Sequence, residues 1–293
     1  GALEDVFGCT ADVGVDGCGF ERHLDAMRAA LTPGANGGFV RDDAMLAVVF
    51  LADEDDCSAR DGRLYDASNA ALGPMTDFRC HTQGVVCEDD PDPSAPGERT
   101  GCVVRDDSAY LESIDAYVDF LVQLKGNERN VIVGGIVGDP EDVQIGVDAQ
   151  GRPAVLAGCP SGGLGASEPG IRFAEFLGRF SQSSLSTLCA GDLRAALEDV
   201  GDKIGSATGT MCLGSAIADR NPEMEGVQSE CSMVETLEGG TERVIPSCDA
   251  SAAPCWRIVN DGMCTQGFGR LVIDRAGAPA PEDGRIRAQC TVE

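Results

Sequence analysis

Residues 44–57 read AMLAVVFLADEDDC: an apolar run without alternation that stops at four consecutive acids. A continuous run of this kind fits a strand buried on both faces, as in a parallel sheet flanked by helices. Open α/β sheets bind ligands outside the carboxyl ends of such strands. Asp53, Glu54, Asp55 and Asp56 therefore stand where a site is expected, and their oxygens suit a hard cation such as Mg²⁺ or Ca²⁺. The competing reading of the same four residues is a solvated acidic loop that caps a helix.

Other chemistries find few carriers. Ser161, in CPSGGLG, lacks the GxSxG frame of a nucleophile elbow, and the glycines at 162–165 lack the spacing of a phosphate loop. With two histidines and two lysines, any general base would be a carboxylate. A carboxylate-based hydrolase is the third reading, behind a binding module and a structural protein. The 49 acidic against 22 basic residues give a net charge of −27, which repels nucleic acid and anionic membranes. No apolar run is long enough to cross a bilayer.

Fourteen cysteines run from Cys9 to Cys290 without a CxxC pair. With so few histidines, disulfides formed in an oxidising compartment account for them better than zinc. The chain is expected to be secreted, periplasmic or on the cell surface. Locality favours the pairs Cys9–Cys18, Cys80–Cys87 and Cys189–Cys212, although connectivity cannot be deduced from spacing alone.

The elements that must position these residues alternate. A helix is expected over 20–31, with Phe20, Leu24, Met27 and Leu31 on one face, followed by the strand at 44–51. A second helix spans 107–124, capped by Asp107 or Ser108, and a second buried strand, NVIVGGIV, spans 130–137. A hairpin over 144–156, a helix opened by Glu168-Pro169, a strand at 183–188 and a helix at 192–204 follow. This order predicts a parallel sheet with right-handed crossovers. Residues 57–107 form a cysteine-stapled insertion at the rim of the acidic cluster. Residues 1–205 thus make an α/β domain, and residues 206–293 a small disulfide-rich β appendage with an Asn260-Asp261-Gly262 turn.

The segments FGCTADVGVDGCGFERHLDAMRAAL (7–31), NGGFVRDDAMLAVVFLADEDDCS (36–58) and the strand–helix run to residue 205 resemble a von Willebrand factor A-type domain, in the cysteine-rich form of secreted bacterial proteins. The resemblance implies a doubly wound sheet with a metal-ion-dependent adhesion site at its carboxyl edge. It implies that Asp53 is the acidic ligand after the fourth strand. Asp16 falls in the loop where the family carries a threonine. The family's DxSxS motif is absent, and its first three strands would precede Gly1. The chain is then expected to be a non-enzymatic adhesion module that holds Mg²⁺ or Ca²⁺ through Asp53, Asp55 and Asp16. Glu54 and Asp56 would face a protein or cell-surface ligand, and an N-terminal fragment of the same precursor is a further expected partner. The alternative is a disulfide-held structural protein of the cell envelope with no working metal site.

Overall fold

The computed structural model describes residues 8, 12, 17, 19–41, 44–88, 92–141, 143–158, 166–190, 192–207, 210–213, 215–221, 223, 229–237, 241–249, 252–260, 269–278 and 285–292. The chain divides into two compact units, Gly1–Ala196 and Leu197–Glu293. Cys9, Asp16 and Cys18 lie outside the described residues.

The first unit opens with helix α1 (His23–Leu31) and strand β1 (Leu46–Leu51). Helix α2 (Phe78–Gly84), β2 (Val85–Glu88) and β3 (Gly97–Val104) follow, then helix α3 (Ile114–Lys125) and β4 (Val131–Val137). The hairpin β5 (Val143–Val147) and β6 (Pro153–Leu156) leads to helix α4 (Ile171–Gly178) and β7 (Ser183–Thr187). Helix α5 (Leu193–Ala207) contains the division between the units.

Strands β1, β4 and β7 form a parallel sheet in that order, with Val48 opposite Val133 and Val133 opposite Ser183. β4 is buried along all seven residues. β1 is not buried on both faces as its apolar run predicts. Leu46 and Phe50 point into the core, while Val49 is 44% and Leu51 59% exposed. The reason is position: among described strands β1 pairs only with β4, so it is an edge strand with one covered face.

The covered face meets α1, α3 and α4. Leu46, Phe50, Val131, Val133 and Val137 share one cluster with Leu24, Tyr117, Leu121, Phe173, Phe176 and Leu177. Phe50 anchors it, its ring 5.2 Å from that of Phe173 and 5.8 Å from that of Phe176. Apolar burial on this scale is the main force holding the unit together. Helix α3 starts later than expected. Ser113, not Asp107 or Ser108, caps it, its Oγ accepting from the Ala116 N–H at 3.3 Å.

The described part of 57–107 contains α2, β2 and β3. β2 and β3 join β5 and β6 in an antiparallel sheet ordered β2-β3-β5-β6, whose inner residues Val85, Val104, Val143, Ile145 and Val155 enter the same core. Arg79, buried in α2, organises the preceding loop. Its guanidinium donates to the carbonyls of Leu64 and Asp66 at 2.9 Å, Gly73 at 2.7 Å, Pro74 at 2.8 Å and Asn69 at 3.2 Å. That is why periodicity is weak there: an arginine and a cystine, not a repeating apolar stripe, hold the loop.

The expected Cys80–Cys87 bond is not formed. Cys57 pairs with Cys80, and Cys87 with Cys102. Antiparallel pairing of β2 with β3 sets Cys87 beside Cys102, while α2 carries Cys80 against the segment that leaves β1. Cys189 is also disulfide-bonded; the side chain of Cys212, its expected partner, lies outside the described residues.

The second unit is built of β8 (Thr210–Cys212), β9 (Cys231–Thr236), β10 (Glu242–Ile245), β11 (Cys255–Val259), β12 (Arg270–Asp274) and β13 (Arg285–Cys290). They form two antiparallel sheets ordered β10-β9-β13 and β11-β12-β8. Met233, Ile245, Trp256 and Leu271 make a small core, and Cys231–Cys290 and Cys248–Cys255 brace it. The expected turn continues from Asn260 into residues 261–262, which lie outside the described residues. No helix among the described residues is long and apolar enough to cross a membrane.

Candidate functional site

At the carboxyl end of β1 the four acids part company. Asp53 is exposed, and its carbonyl accepts from the Glu168 N–H at 2.7 Å. The Asp55 carboxylate reaches the start of α4, accepting from the Arg172 N–H at 3.0 and 3.1 Å and from the Phe173 N–H at 3.4 Å. Gly170, the residue preceding α4, offers no side-chain cap, so Asp55 supplies from a distance what the local sequence lacks. Burial nonetheless pushes the Asp55 carboxyl up to about 6, against the pull of the Arg172 amide and guanidinium.

Asp56 is wholly buried and performs the same service for α1. Its Oδ1 accepts from the Leu24 N–H at 2.9 Å and from the Ser58 hydroxyl at 2.6 Å, and the Ser58 Oγ accepts from the Asp25 N–H at 2.9 Å. Its other oxygen meets Arg172, Nη2 at 3.2 Å and Nε at 3.3 Å, and that buried guanidinium also donates to the Glu112 carbonyl at 2.9 Å. Asp55 and Asp56 are thus tied to two helix starts, which is the capping role that competed with metal binding in the sequence.

Glu54 lines a cleft with Glu21, Asp77, His81 and Glu168, and Asp55, Asp56 and the Arg172 that pairs with Asp56 line it too. The cleft has about 20 Å³ of space for the centres of water-sized occupants. Glu168 reaches it because Gly138 has no side chain. A Cβ there would stand 1.7 Å from the Glu168 carbonyl oxygen, so only glycine at the end of β4 lets the 167–170 segment lie so close. The Gly170 N–H then donates to the Gly138 carbonyl at 3.2 Å. Asp77 arrives at the head of α2, its Oδ1 accepting from the Phe78 N–H at 2.8 Å.

Glu168 and Glu54 are disfavoured as anions in the cleft. Burial pushes Glu168 up to about 9, reinforced by the charges of Asp77 and Glu54 and by a hydrogen bond with Asp77. Burial likewise raises Glu54 to about 7, with Asp77, Glu21 and Asp53 adding repulsion. Glu168 therefore favours its protonated form at neutral pH, and Glu54 is raised towards neutrality. Glutamates so placed can exchange protons for a cation, or donate and accept protons near neutrality.

The structure brings Glu54 together with Asp77, Glu168 and Glu21, three residues that the sequence alone did not single out. Asp77 and Glu168 each stand just ahead of a helix, in Asp77-Phe78 and Glu168-Pro169, but nothing in their spacing joins them to Glu54. Among the described residues, no group of three or more His, Cys, Asp or Glu could hold a metal ion as placed. Of the ligand set implied by the family resemblance, Asp55 accepts from the α4 amides, Asp53 is exposed, and Asp16 lies outside the described residues. Comparison with known proteins gives no match, either to a protein-family model or to a curated protein.

Proposed function

We propose that this chain is an extracytoplasmic binding module that captures a divalent cation in the acidic cleft and, through it, a carboxylate of a protein or cell-surface ligand. The observation that carries the reading is the meeting of Glu54, Asp77 and Glu168 in one cleft, where Glu168 is held up at about 9. Oxygen donors of this kind suit Mg²⁺ or Ca²⁺, both of which accept further ligands from a partner. In this reading the exposed Asp53, next in sequence to Glu54, would meet that partner. Asp55 and Asp56 hold α4 and α1 in position. The disulfides in both units support an oxidising compartment. The sequential parallel order β1-β4-β7 supports a von Willebrand factor A-like, doubly wound plan.

Titration calorimetry of the whole chain with MgCl₂ and with CaCl₂ at pH 7, in two buffers of different ionisation enthalpy, tests this. Saturable heat with release of about one proton, lost in Glu168→Gln and in Glu54→Gln, is the expected result. No heat at about millimolar ion, or heat unchanged in both variants, would overturn it. The second reading, a structural envelope protein, draws on the saturation of Asp55 and Asp56 by internal hydrogen bonds. The same null titration would favour it.

A further inference from the structure

Within its own residues β1 carries no device that closes a sheet edge. Its residues, LAVVFL, include no charge and no proline, and its register with β4 has no bulge. β4 pairs along one side, and no described strand pairs along the other. The Ala52 N–H donates to the Ile136 carbonyl at 3.2 Å. Residues bonded to one neighbour alternate along a parallel ladder, so the N–H and C=O of Ala47, Val49 and Leu51 face the open side. Their side chains lie on the face opposite Leu46 and Phe50, and Val49 and Leu51 are among the most exposed large apolar residues of the sheet. One extended segment laid here would satisfy the free backbone groups and cover apolar side chains together.

We propose that β1 is a docking edge for an extended apolar strand of another protein, flanked by basic residues. The free ladder groups require a strand, and Val49 and Leu51 require apolar side chains on it. Charge selects the flanks: in sequence β1 is preceded by Arg41-Asp42-Asp43, net negative, and followed by Asp53, in a chain of net charge −27. A second copy would bring two acid-bracketed edges together, which like charge opposes. The proposal uses the sheet edge and does not depend on cation binding in the cleft.

The test uses the whole chain and a fluorescein-labelled octapeptide of alternating threonine and valine with lysine at each end. Saturable anisotropy and slowed amide exchange over residues 46–51 are expected. Binding should weaken about tenfold or more in Val49→Lys, with a proline at the peptide centre, and with glutamate replacing both lysines. No binding at about 1 mM peptide, or equal binding of the proline peptide, would overturn the proposal. So would sedimentation showing a dimer that Val49→Lys abolishes, since the edge would then belong to a second copy. Circular dichroism matching the parent confirms that the variant is folded.

Discussion

Glu168 favours its protonated form at neutral pH because ionising it would place a buried charge beside Asp77 and Glu54. A carboxyl whose folded pKa lies above its unfolded value binds more protons in the folded state. The fold therefore loses stability as pH rises from about 4.5, the ordinary glutamate value, towards about 9. Glu168→Gln, which mimics the protonated side chain, should remove much of that loss. With chelator present, its Tm should exceed the parent's at pH 8 by roughly 2–4 °C per kcal/mol recovered, and differ little at pH 4.5. Thermal melts across that range check it. An unchanged slope would mean that the carboxyl ionises freely. Only the charge of Glu54 was legible in sequence as part of this cluster. The position of Glu168 depends on Gly138 and on a carbonyl contact that no local pattern encodes.

Two helices of the first unit begin without a cap of their own. Arg22 and Gly170 precede α1 and α4 and supply no side-chain cap bond. Asp56 with Ser58, and Asp55, serve instead from the segment after β1, and Arg172 neutralises the buried Asp56. Removing either acid should have a distinct cost. Asp55→Ala should destabilise by about 1 kcal/mol, the usual value of a lost cap. Asp56→Ala leaves Arg172 buried and unpaired and should cost about 3–5 kcal/mol. Urea unfolding followed by circular dichroism separates the two, and equal losses would contradict these roles. The alternation of helix and strand was readable from apolar spacing. The helix starts were not, because their caps come from a distant strand end.

Each unit has its own core, and the second core is small: among the described residues it has four buried apolar members, Trp256 one of them. Trp256 is the chain's single tryptophan, so its fluorescence reports on the second unit alone. A core of this size depends on cross-links such as Cys231–Cys290 and Cys248–Cys255. In reducing buffer the Trp256 emission should shift red at lower urea than the loss of helical circular dichroism, which comes mainly from the first unit. Coincident transitions would mean that the cystines contribute little. Glu235 adds a second brace. Burial works against its charge, yet Arg275 and Arg243 hold its carboxyl below the usual range.

By itself the sequence determined that acids follow an apolar strand, that helices and strands alternate, that a β-rich part follows and that cysteines staple the chain. These are properties of local spacing and composition. Tertiary structure alone decided which acids are available: Asp55 and Asp56 turn inward to helix amides, while Glu54 meets Asp77 and Glu168. It also decided which cysteines pair, because pairing follows strand register and helix placement and not separation along the chain. And it decided that β1 is an edge, since burial of a strand depends on which neighbours arrive beside it, and the strand's own residues do not specify them.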